Sequence, residues 1–168
     1  SRLSYLLWNG PPDDTLLNLA ASGALLDIVV LEEQARRLLD DDRAKSTIED
    51  FHTQWLTLDS LDTIVKDDIA YPSFTDSIRA SWRQELKLFI EYVFLESEAP
   101  LDDFFGSSVS FLNADLATFY EHEGEFPENT FLLTPNAPHR AGILTQPGLL
   151  ALLSNPDQSS PIRRGVFV

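Results

Sequence analysis

Apolar residues recur along this chain at spacings of three and four, the period of a helix with one buried face. Leu3, Leu6 and Leu7 mark a first such face, closed by Asn9-Gly10-Pro11-Pro12, a strong stop. The stretch "PPDDTLLNLAASG" reads as a complete second helix, with Pro and Asp at its start and Gly23 just past its end. Asp27 is placed to cap a third, "IVVLEEQARRLL", whose Val30, Leu31, Ala35, Leu38 and Leu39 share a face. Its acids precede Arg36 and Arg37, as the helix dipole favours. Asp42 is the expected cap of "RAKSTIEDFHTQWLTL", with Ala44, Ile48, Phe51, Trp55 and Leu58 along its apolar side. A polar connector, "DSLDTIVKDDIAYPS", leads to the longest helix, expected from about Thr75 to Glu96. There Phe74, Ile78, Trp82, Leu86, Phe89 and Val93 keep the spacing, and "LKLFIEYVFL" is apolar on nearly every side, which predicts a central helix contacted from several directions.

The remaining signals are shorter. "PLDDFF" predicts one helical turn, and "VSFLNADLATFYEH" opens on β-branched residues and turns helical near Asn113, the natural N-cap. "EGEFPENTFLLTPNAPHRA" reads as a long loop with one short strand at "TFLL", and "GLLALLSN" as a last short helix. In "SSPIRRG", Pro161 disfavours helix at Ser160, which predicts an extended turn that Gly165 releases. The expected fold class is all-α, with roughly six to eight helices. They form an irregular multi-helix bundle around one long central helix, with a Pro-rich C-terminal loop region.

Composition narrows the setting. Against 27 Asp and Glu stand only 12 Lys and Arg, a net charge of −15 over 168 residues. Such a field repels nucleic acid backbones and anionic lipid, so neither is an expected partner. No apolar run approaches the roughly 18 residues a membrane helix needs, so no membrane insertion is expected. Hydrophobic residues make up 43%, enough for a core. The absence of Cys excludes a disulfide framework, thiolate metal sites, a cysteine nucleophile and a C-x-x-C-H haem attachment within these residues. There is no Met, and the first residues, "SRLSYLLW", are already helix-like, as expected of a piece of a longer protein.

Few residues stand out as carriers of chemistry. His52 borders an apolar stripe, and a zinc helix would need a second ligand at position 56, which is Leu. Packing is the expected role. His122 sits among Glu121, Glu123 and Glu125, a weak candidate for binding a cation, without the alternating spacing of a calcium loop. His139 has no visible partner, and no metal site is expected. The paired aspartates at 13, 40, 67 and 102 fall at helix starts or connectors, where capping accounts for them. Trp8, Trp55 and Trp82 sit on helix faces and are expected in the core.

Glu85 is the one candidate for a catalytic group. It falls only about 20° outside the apolar arc of its helix, and a Glu so placed needs a partner, best an Arg. Arg2, Arg43, Arg140, Arg163 and Arg164 are the candidates, and a Glu–Arg clasp between helices is the leading reading. Arg163 and Arg164 point to different sides, so one can enter the acidic body while the other faces a ligand. Candidate binding residues are therefore Arg140, Arg163, Arg164, Asn113 and His122.

The segments "SRLSYLLWNGPPDDTLLNLAASGAL", "DDRAKSTIEDFHTQWLTLDSLD", "RQELKLF" and "FLNADLATFY" together resemble domain of unknown function 1592. That family occurs in large bacterial proteins, of planctomycete type above all. "RAGILTQPGLLALLSNPDQSSPIRRGVFV" resembles the start of domain 1588, which usually follows it. The implied organisation is a helical domain over 1–125 and, over 126–168, a loop region with the truncated start of the next domain. The resemblance also implies an exported protein, periplasmic or extracellular, with c-type cytochrome modules elsewhere in the chain. A haem c would be held by those domains and no cofactor by these residues. Glu85 matches a Glu of the family pattern, whereas Phe119, Tyr120 and Glu121 stand where relatives often have His-Tyr-Gly.

On this basis the expected function is a scaffold or docking module of a cytochrome-c-associated redox protein, holding no redox centre itself. Its partner would be a cytochrome c domain in cis or in trans. A module binding polysaccharide or another polymer through the loops around 121–140 is the alternative. An enzyme domain centred on Glu85 is the third reading.

Overall fold

A computed structural model describes residues 1–136 and 139–167. The chain divides into two compact units, 1–51 and 52–168, each described by itself below. This is a division of contacts in space, whereas the boundary expected at 125/126 concerns family resemblance. The fold is mostly helical, with nine α-helices among the described residues and one small antiparallel sheet, so it is not strictly all-α.

The first unit contains α1 (Arg2–Trp8), α2 (Asp14–Ala21), α3 (Ile28–Leu39) and the start of α4 (Asp42–Trp55). Asp13 caps α2 by accepting from the Leu16 amide, and Asp27 caps α3 by accepting from Val29. The core is Trp8, Leu16, Leu38 and Ala44, with Leu3, Leu7 and Leu25 packed around it. Leu6, assigned to the α1 face from its spacing, is exposed instead. The Trp8 indole donates to the Leu38 carbonyl at 2.8 Å, and the Arg43 guanidinium lies 3.3 Å over its ring. The cap of α4 is Asp41 rather than Asp42, which is already helical. Asp41 accepts from both the Arg43 amide and its guanidinium, and that pairing lowers its carboxyl to about 2.

Along α4 the buried positions are Ala44, His52 and then Leu56 just past its end, a stripe one register away from Phe51 and Trp55, which are exposed. The packing expected of Trp8 and Trp82 is therefore seen, but Trp55 lies half outside, its ring stacked on Phe104.

The second unit is organised by α5 (Asp76–Glu91), prolonged by a wide turn over Tyr92–Glu96. Its buried residues, Ile78, Trp82, Leu86, Phe89 and Val93, are those the periodicity marks, joined by Ser81, Glu85 and Ile90. Around it lie α6 (Pro100–Gly106), β1 (Val109–Leu112), α7 (Ala114–Phe119), β2 (Leu132–Pro135), α8 (Pro147–Leu152) and α9 (Pro161–Phe167). Strands β1 and β2 pair antiparallel with Val109 opposite Pro135 and Leu112 opposite Leu132. Alternation along β1 turns Ser110 and Leu112 inward.

Asn113 caps α7 through the Leu116 amide and donates to Ser81 Oγ and the Glu128 carbonyl. It ties three segments together. Asn113→Ala should therefore cost more than the ~1 kcal/mol of an ordinary cap, by an added ~1 kcal/mol for the buried bond to Ser81. Urea unfolding of the two proteins measures it.

The C-terminal segment "SSPIRRG" is a correction. Ser160 is followed by helix α9, not by an extended turn. The non-helical backbone that Pro imposes on the residue before it suits an N-cap, and Pro itself suits the first helical position. Ser160 Oγ accepts from the Arg163 amide accordingly. Ala137 and Pro138, within the predicted loop, lie outside the described residues, as does Val168.

Candidate functional site

Two features of the second unit have the character of a site. The first is a buried polar cluster around Glu85, whose side chain is wholly inaccessible. Strand β1 brings the Ser110 hydroxyl to Glu85 Oε1, and the C-terminus of α7 brings the Tyr120 hydroxyl to Oε2 at 2.6 Å. Arg140 supplies the cation: its Nη2 donates to Glu85 Oε1 at 3.2 Å and to Gln146 Oε1 at 3.3 Å. The guanidinium also stacks over the Tyr120 ring, 4.2 Å from its centre. Of the five arginines that could have answered Glu85, Arg140 does so.

Burial raises the Glu85 carboxyl above its ordinary value, while Ser110, Tyr120 and Arg140 pull it back. The Tyr120 phenol is raised too, by burial first and then by the charge of Glu85. All the groups facing the carboxyl are donors, so the cluster is built for an acceptor. It joins α5, β1, the end of α7 and the segment leading into α8. Arg140 Nε and Gln146 Nε2 are buried donors with no acceptor among the described residues.

The second feature is an open groove of about 870 Å³. Trp82, Phe74 and Phe119 line it; Trp82 packs 5.7 Å from Phe74 and edge-on to Phe119 at 5.3 Å. Its polar margin has two parts. On the α7 side stand Asp115, bonded by the Ser77 hydroxyl, and Glu121. On the side of α8 and α9 stand Lys66, Ser159 and Arg164. Lys66 is buried, and its ammonium donates to the Ala151 carbonyl at 2.8 Å, Ser154 Oγ at 2.6 Å and the Asn155 carbonyl at 3.0 Å. It satisfies the C-terminal end of α8, where free carbonyls attract a cation. Burial lowers its pKa, and the nearby charge of Arg163 lowers it further.

The other sequence candidates are dispersed. Arg163 is exposed and reaches the Ser154 carbonyl at 3.3 Å. His122 is exposed, its Nδ1 3.0 Å from the Glu123 carbonyl and its ring against Phe126. His52 is buried among Phe94, Phe104 and Trp55. No group of three or more potential metal ligands occurs among the described residues. No described helix is long and apolar enough to cross a membrane. Glu121 holds a left-handed backbone, φ 54°, just past α7, a position that favours Gly.

Sequence reasoning did not single out Ser110, Tyr120, Gln146 or Lys66. The inward alternation of Ser110 with Leu112 was the one available signal. Gln146 and Lys66 lie in segments without periodicity, so nothing local marks them.

The family model described as "PSD4: Protein of unknown function (DUF1592)" matches residues 1–121. The match covers more than half of the chain, which therefore belongs to that family. No curated protein and no solved structure matches the chain. The matched region includes Glu85, Ser110 and Tyr120, while Arg140 and Gln146, which complete the cluster, lie beyond it.

Proposed function

We propose that this chain is a helical scaffold and docking module of an exported, cytochrome-c-associated multidomain protein, and that the groove is its working surface. The observation that carries this reading is the contrast between the two features. Glu85, the strongest candidate for chemistry, is sealed, both its oxygens occupied, and it does not line the groove. The groove is open, aromatic and of the size that holds small ligands or short chain segments. The Glu85 cluster then serves to hold α5 and α7, which form much of the groove wall, in register. The cytochrome setting and export rest on the resemblance of residues 1–121 and of the "SPIRRG" region to their families. In this setting the module presents a substrate or partner to a haem domain.

The complete gene product should contain at least one C-x-x-C-H motif outside these residues. Titrating the ¹⁵N-labelled chain with the haem-bearing segment of that protein should shift amides around the groove. Shifts confined to other faces, or none at saturating concentration, would overturn docking at the groove. A complete gene without a haem motif would overturn the cytochrome setting. The aromatic lining also favours a second reading, stacking of sugar rings from a polysaccharide, which a titration with soluble oligosaccharides separates from the first.

A further inference from the structure

Every arginine from Arg36 to Arg140 is bonded to a carboxylate, as befits a chain of charge −15. The cations around the end of α8 break that pattern. Lys66, Arg163 and Arg164 are bonded to no carboxylate among the described residues. Lys66 is held by neutral oxygens, and Arg163 reaches a neutral carbonyl. The Arg164 side chain makes no hydrogen bond to the described residues and lines the groove together with Lys66 and Ser159. Two like charges, Lys66 and Arg164, thus line an apolar groove, with a third, Arg163, close enough to act on Lys66, in a protein with carboxylates to spare. The two acids that line the groove, Asp115 and Glu121, come from α7 and the residues just after it.

From this arrangement we propose that the groove takes a small organic anion with an apolar, ring-sized body. The body lies against Phe74, Trp82 and Phe119, and the anionic group, a carboxylate, meets the Arg164 guanidinium within the positive field of Lys66 and Arg163. An unpaired guanidinium is a ready bidentate donor for a planar carboxylate. The acids on the α7 side fix the orientation by repelling the anionic end. Neutral ligands of the same shape receive the apolar contribution alone. The inference rests on the reading of the groove as a binding surface, and it adds the chemical class of what is bound.

The test uses 2-naphthoate and its uncharged counterpart 2-naphthamide, each titrated into the ¹⁵N-labelled chain. Naphthoate should shift the groove amides and bind at least about tenfold more tightly than the amide, the worth of one charge-assisted bond. Arg164→Gln should remove most of that preference by weakening naphthoate far more than naphthamide. Because Arg164 is exposed, the variant should fold as the parent does, which circular dichroism checks. Equal binding of the two probes would overturn the anion inference while leaving an apolar groove intact. Binding of neither would overturn it also, and docking would then stand or fall on the titration with the haem-bearing segment alone. If a Glu-rich peptide shifted the groove and naphthoate did not, the inference would be overturned in favour of an acidic protein partner.

Discussion

Arg140→Met should destabilise the second unit by about 3–5 kcal/mol, because it leaves the Glu85 carboxyl buried without its cation. Ser110 and Tyr120 still donate to the carboxyl, so the variant should fold, but less stably. The effect should depend on pH in a defined sense. Burial raises Glu85 above its ordinary 4.5, near which the unfolded chain titrates. Between that value and the higher folded one, the native state holds a proton that the unfolded state has lost. Stability therefore falls as pH rises through this window and levels off above it. Removing Arg140 takes away a charge that lowers the folded value, so the window widens upward. The gap between parent and variant should then grow with pH, and Glu85→Gln should lose this pH dependence. Urea unfolding, followed through the α5 amide resonances at acid and at neutral pH, reads both. A gap independent of pH would mean that Arg140 contributes packing on Tyr120 rather than charge.

The parts of this arrangement differ in how far the sequence discloses them. The burial of α5 follows from spacing alone, and so does the anomaly of Glu85, since a wheel places it beside Ile78 and Phe89. Its partner does not follow, because Arg140 is 55 residues away in an irregular segment. Pairing across such a loop leaves no periodic trace. The tail departs from the expected extended turn for a local reason: the restriction before a proline is the same whether an extended turn or a helix cap follows. On α4, Phe51 and Trp55 share a stripe with Ala44 and Ile48, yet burial follows His52 and Leu56. Hydrophobicity marks a face, whereas the neighbours decide which edge of it is covered. The groove left no periodic signal. It is assembled from the 66–75 connector, α5, α7, α8 and α9, and each contributes only one to several residues. The two adjacent arginines near the end of an acidic chain were the sole hint, and they sit near the end of α8, one at its carbonyls and one on the groove.

Gly142→Ala should cost roughly 2–6 kcal/mol, the sum of a backbone term and a packing term of about 1–3 kcal/mol each. Gly142 has φ 58° and ψ −173°, a region that residues with a Cβ scarcely enter. A Cβ there would stand 2.3 Å from both the carbonyl carbon and the oxygen of Phe105, and 2.7 Å from the Phe104 oxygen. All three are backbone atoms at the end of α6, which cannot swing aside as a side chain would. The Gly142 amide donates to the Ser107 carbonyl at 2.8 Å, so the contact is close because the segment is laced to the end of α6. Arg140 lies two residues before this point and Gln146 four after it. A shift large enough to admit a methyl group would therefore pull the guanidinium from Glu85, and the cost should include part of that pair. Gly165→Ala is the matching control. Its Cβ would meet nothing within 4 Å, and it lies in α9, where Ala is the better helix former by up to about 1 kcal/mol. The control should be neutral or slightly stabilising. Side-by-side urea unfolding decides the matter: were Gly142→Ala as stable as its parent, the 139–146 segment would be free to move. Arg140 would then be placed by Glu85 rather than by the anchor at α6.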